Sequence, residues 1–171
     1  MRILILLFLL NSFFSAFSKA SVSDSLQLEL QIGTNLSYNG ADLSLSLGLT
    51  RQKHTIYIGP QVNVSDSYFP KRNISGVLLG YQYAVSVHKR WTSFVNVESQ
   101  WSFLNTKTIP LNNALEIYAG YGLQYRLHPR FSIGNTLGVG AYLEHYTISR
   151  GTTDSFSAYA VLIGIYGRFE F

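Results

Sequence analysis

The sequence predicts an all-β fold, an eight-stranded antiparallel up-and-down transmembrane β-barrel, and three observations predict it. Eight stretches alternate apolar and polar residues with a period of two, the repeat of a strand whose faces meet different surroundings. Only 13% of residues are charged while 47% are hydrophobic, whereas an average globular chain carries roughly 25% charged residues. Finally, no basic residue beyond position 20 interrupts the middle of an apolar row, as expected of a lipid-facing surface where a Lys or Arg costs roughly 2–4 kcal/mol at the midplane.

Residues 1–20 read as a cleaved secretory signal peptide, and 21–171 as the barrel. Arg2 supplies a positive start, "ILILLFLL" and "NSFFSAF" an apolar stretch, and "SKA" a small-x-small cleavage site after Ala20. Without Arg2 and Lys19, eleven basic residues face nine acidic ones, an excess too mild to suggest nucleic acid. The chain has no cysteine, so neither a disulfide framework nor a thiolate metal site is available.

The strands follow in order. The first sets Leu26, Leu28, Leu30, Ile32 and Leu36 against Gln27, Glu29, Gln31, Gly33 and Asn35. Asn39-Gly40 is a hairpin signal, and the second strand carries Leu43, Leu45, Leu47 and Leu49 over Asp42, Ser44, Ser46 and Gly48. The third opposes Ile56, Ile58, Val62 and Val64 to Tyr57, Gly59, Gln61 and Asn63, with Pro60 predicting a bulge or kink. The fourth runs from Val77 to Val87 over Gly80, Gln82, Ala84 and Ser86. The fifth places Val95, Val97, Trp101 and Phe103 over Asn96, Glu98, Gln100 and Ser102, with Phe94 breaking the polar row. The sixth runs from Leu115 to Leu127, over Glu116, Tyr118, Gly120, Gly122, Gln124 and Arg126. The seventh runs from Phe131 to Leu143, over Ser132, Gly134, Thr136, Gly138, Gly140 and Tyr142. The last carries Tyr159, Val161, Ile163, Ile165, Phe169 and Phe171, with Leu162 out of place on the face of Gly164, Tyr166 and Arg168.

Connections alternate as well. "RQKH", "HKRW" and "LHPR" are tight basic turns, while residues 65–73, 105–113 and 147–155 read as longer polar loops on the opposite side. Short turns at one end and longer loops at the other suit a membrane barrel. The polar rows hold Gly, Ser and Gln with scattered Tyr, the filling a narrow interior needs rather than a wet exterior. Tyr38, Tyr83, Tyr125, Trp91, Trp101, Phe103 and Phe131 fall near row ends, as interfacial girdles do. A soluble lipocalin-like binding barrel would share the alternation but turn the apolar rows inward.

The ending "GIYGRFEF" resembles the C-terminal strand of bacterial outer-membrane barrels, in which a final aromatic and alternating apolar residues form an assembly signal. By that resemblance Phe169 and Phe171 are the C-terminal assembly signal. Strand number and short turns are similar to the small OmpA/OmpX-type barrels. The resemblance implies a Gram-negative cell envelope and location in the bacterial outer membrane. Its implied partners are outer-membrane lipid, lipopolysaccharide and the barrel assembly machinery, with the chain a monomer.

Eight strands enclose a space that side chains just fill, so a general diffusion pore is not expected. Glu29, Asp42, Glu98, Glu116, Glu144 and Glu170 share the polar face with Arg126 and Arg168, and are expected to form a buried lumen network. Threading the strands puts Glu29, Arg126, Arg168 and Glu170 at the turn end, Glu98 midway, and Asp42, Glu116 and Glu144 towards the loops. The expected role is non-enzymatic, structural or loop-mediated, with no cofactor and no metal. The alternative is a hydrolase. "EHYTISRG" followed by "TTDSFS" is similar to the catalytic region of outer-membrane lipid A 3-O-deacylases, which implies His145 as base, Thr147 as nucleophile and Asp154 as orienting acid. Thr here takes the place of the family's Ser, the His-to-acid spacing is shorter, and the Asn after the nucleophile is missing.

Overall fold

The computed structural model of the chain describes residues 26–38, 40–64, 73–106, 109–148 and 152–171. The proposed signal peptide therefore lies outside the described residues. Eight strands form one sheet: β1 (Gln27–Ser37), β2 (Gly40–Arg51), β3 (His54–Asn63), β4 (Asn73–His88), β5 (Trp91–Thr106), β6 (Ile109–His128), β7 (Phe131–Ile148) and β8 (Thr152–Glu170). Each pairs antiparallel with its sequence neighbours, and β1 closes on β8 through Glu29–Leu36 against Glu170–Ile163. Closure leaves the spanning wall without a free edge, the condition for a sheet in lipid.

The apolar rows face outward. Leu137, Val139, Val161 and Ile165 are 58%, 68%, 59% and 67% exposed, while their neighbours Thr136, Gly138, Ala160, Leu162 and Tyr166 are buried. The inward-facing lipocalin-like arrangement is thereby excluded. A lipid-facing apolar band around a polar interior is the transmembrane arrangement. At the turn end an aromatic girdle pairs Phe131 with Phe169, Trp91 with Tyr125, and His54 with Tyr83, at ring separations of 4.6, 4.7 and 5.0 Å. Trp101 and Phe103 pack together at the other end, 5.5 Å apart. Tyr38 departs from its expected girdle role. Its ring lies 4.7 Å from the inward-facing Tyr142 and 6.3 Å from Phe156, so it caps the barrel mouth.

The three basic turns are two-residue connections, and Gln52 and Lys89 take positive φ values of 58° and 53°. The loop side differs from the sequence reading. Residues 65–72 lie outside the described residues, but 105–113 and 147–155 are mostly strand: β5 reaches Thr106, β6 begins at Ile109, and β7 and β8 pair as far as Ile148 opposite Thr152. Beyond the hydrocarbon both faces of a hairpin meet water, so alternation vanishes while the backbone ladder continues. Pro60 also keeps its register with β4, opposite Val77, rather than forming a bulge. Its missing N–H falls on the β2 side, where the paired positions skip from Ser44↔Gln61 to Leu47↔Ile58 without a shift.

Candidate functional site

The barrel interior is the candidate site, and it is packed in tiers along the axis. At the turn end Arg168 on β8 is 5% exposed. Its Nε lies 3.3 Å from Glu29 Oε2 on β1, an ion pair with both side chains buried. Its Nη1 donates to Gln124 Oε1 at 3.2 Å, and its Nη2 donates to Gln31 Oε1 at 3.1 Å and to Gln82 Oε1. One guanidinium thus ties β8 to β1, β4 and β6 across the lumen. Glu29 also accepts from Thr50 at 2.7 Å, and Gln124 donates to Ser132 at 2.7 Å. A buried ion is tolerated only when it is paired and hydrogen-bonded, and here the pairing with Glu29 is joined by hydrogen bonds from both Nη atoms to amides on β1, β4 and β6.

Midway, Glu98 on β5 accepts three bonds: from Asn35 at 3.0 Å, Tyr57 at 2.8 Å and Gln100 at 2.7 Å. Towards the outer mouth Asn63 donates to Asp42 at 3.0 Å, Tyr142 donates to Glu144 at 2.7 Å, and Tyr118 donates to Glu116. Three lumen tyrosines therefore each donate a hydroxyl hydrogen bond to one glutamate. Beside them Ala114, Tyr118, Tyr142, Ala160 and Leu162 form an apolar cluster on the inner face of β6, β7 and β8. Leu162, out of place on the polar row of the sequence, belongs to this plug.

Aromatic rings reach across the lumen because glycines face them. Tyr57 pairs with Gly80, Phe94 with Gly122, and Tyr166 with Gly134. A Cβ on these glycines would meet the opposing ring at 2.0, 2.2 and 2.4 Å, respectively. Each ring thus occupies the space that a side chain on the facing glycine would need, filling the interior at the close packing that proteins reach. Phe94, which interrupts the polar row of its strand, is one of these fillers and is 2% exposed.

Likeness to solved structures agrees with this geometry. The N-terminal β-barrel domain of Pseudomonas aeruginosa OprF aligns at 12% identity over 85% of this chain and 97% of that one, with a TM-score of 0.57. The outer membrane protein AlkL, determined in lipid bilayers, aligns at 12% identity over 90% of this chain and 94% of that one, with a TM-score of 0.58. The fold is that of a small outer-membrane β-barrel. No family model and no curated protein matches the sequence, so the likeness is one of fold alone.

Glu29, Asp42, Glu98, Glu116 and Arg168 are buried, Glu144 and Glu170 half-buried. Arg126 sits instead at the rim, 52% exposed and 3.6 Å from Glu170. Sequence reasoning missed the neutral members Gln31, Gln82, Gln124 and Asn35, which carry most of the contacts to Arg168 and Glu98. Their signal was a polar-row amide on each strand, legible only once the register is known. Phe169 packs on Phe131, and the Phe171 amide donates to the Leu28 carbonyl at 3.0 Å. The hydrolase constellation is not assembled on one face. His145 is cross-strand from Ser155, so Asp154, the next residue, points to the opposite face of the β7–β8 hairpin. Asp154 accepts from the Ser155 amide at 2.8 Å, and the Thr147 side chain lies outside the described residues.

Proposed function

We propose that the chain is a bacterial outer-membrane protein with a sealed interior, acting structurally in the envelope or by presenting its outer hairpins to a partner, and performing no catalysis. Residues 1–20 would direct its export. The observation that supports this reading is the continuous filling of the lumen, from the Arg168 tier through Glu98 to the plug around Tyr118. An eight-stranded barrel filled in this way leaves no water column wide enough for solutes. Purified protein reconstituted into planar bilayers should give no stepwise ionic current, and proteoliposomes should retain an entrapped sugar. Steady single-channel currents from folded protein would overturn the sealed-interior reading.

A further inference from the structure

The basic turns collect charge of one sign. Arg51, Lys53, Lys89, Arg90, Arg126 and Arg130 lie on one rim. The two carboxylates described near it, Glu29 and Glu170, are engaged with Arg168 and Arg126 at 3.3 and 3.6 Å.

The rim is stepped. β3 pairs with β4 only as far as His54 opposite Tyr83, whereas β4 continues to His88. A β-bulge between Ala84 and Ser86 bends the taller hairpin there. The Lys53 carbonyl accepts from the Ala84 amide at 2.8 Å, which fixes the shorter turn against the flank of the taller one. Lys53 therefore stands on the lower level and Lys89 and Arg90 on the upper. The outward-facing His54, Tyr81 and Tyr83 form the floor, with His54 Nδ1 2.7 Å from the Tyr81 hydroxyl. Val85, 50% exposed at the bulge, forms the riser between the levels.

Aromatic rings with polar tips, an apolar riser and cations above and below suit an amphiphile whose head is anionic and whose tail lies in hydrocarbon. We propose that this step binds the phosphate headgroup of an anionic glycerophospholipid in the leaflet that meets the turns. The inference rests on the membrane reading of the barrel and adds a ligand to it. A zwitterionic headgroup carries its own cation and leaves the step's charge uncompensated.

The test is native mass spectrometry of the full chain in micelles doped with phosphatidylglycerol or phosphatidylcholine. Phosphatidylglycerol should be retained preferentially, and each of Lys53→Gln, Lys89→Gln and Arg90→Gln should weaken retention about fivefold, the effect of one cation near a lipid surface. The Asp154→Asn variant, at the opposite end, should bind as the unaltered chain does. Heat-modifiable gel mobility checks that each variant folds, and three separate single variants keep the test open if one does not. Equal retention of the two lipids, or variants that bind phosphatidylglycerol as tightly as the parent, would overturn the inference. So would soluble glycerol phosphate binding as tightly as the lipid, which would mark a plain phosphate site. A chain that never inserts defeats the membrane reading itself; one that inserts without preferring phosphatidylglycerol defeats the lipid site alone.

Discussion

Arg168→Met should destabilise the barrel by about 3–5 kcal/mol, the cost of leaving a buried charge without its partner. The substitution strips Glu29 of its ion pair and removes the donors to Gln31, Gln82 and Gln124 in one step. With Arg168 only 5% exposed, solvent does little to screen the stranded carboxylate. Urea titration in phospholipid vesicles, followed by tryptophan emission from lipid-facing Trp91 and Trp101, reads the loss. Adding Glu29→Gln should recover part of it, because a neutral amide in that place can still bond Thr50 and carries no stranded charge. A single variant as stable as the parent would mean that the turn-end tier contributes nothing to cohesion.

Gly80→Ala should cost about 2–4 kcal/mol, combining overpacking with the loss of one buried hydrogen bond. The new methyl carbon would lie 2.0 Å from Tyr57 Cζ and 2.3 Å from its hydroxyl. Tyr57 is 2% exposed and its hydroxyl donates to Glu98, so the ring cannot swing aside without leaving that carboxylate short of a donor. Gly48 flanks Tyr57 on the other side, opposite it on β2. There an added Cβ meets nothing nearer than 3.5 Å, so Gly48→Ala should change stability by less than about 0.5 kcal/mol. The contrast between two glycines beside one ring separates specific ring packing from a general cost of side chains in the lumen. In a double-mutant cycle Gly80→Ala and Tyr57→Phe should be less than additive, since both remove the bond to Glu98.

Much of this architecture was legible because lipid and lumen impose opposite chemistry on alternate residues. The rows from Leu43 to Leu49 and from Tyr159 to Ile165 are as readable in sequence as in space. Legibility ended where that contrast ended. Residues 105–113 and 147–155 carry no alternation in sequence, yet β5, β6, β7 and β8 continue through most of them. The partners of each lumen charge could not be read from the sequence. Arg168 meets Gln82 from a strand 86 residues away, and such contacts depend on closure of the sheet and on register. Leu162 and Phe94 looked like errors in the pattern. They are the places where a narrow interior needs bulk more than polarity.

The central claim is that the apolar rows lie in hydrocarbon around a sealed polar interior. A nitroxide scan along β7 from Asn135 to Tyr142 in lipid vesicles tests it most directly. Labels at Leu137, Val139 and Ala141 should be relaxed by membrane-dissolved oxygen and shielded from a water-soluble nickel complex, whereas labels at Thr136 and Gly138 should be immobilised and little relaxed by oxygen. Nickel reaching the labels at Leu137 and Val139 would place water, not lipid, against the outer wall and contradict the account.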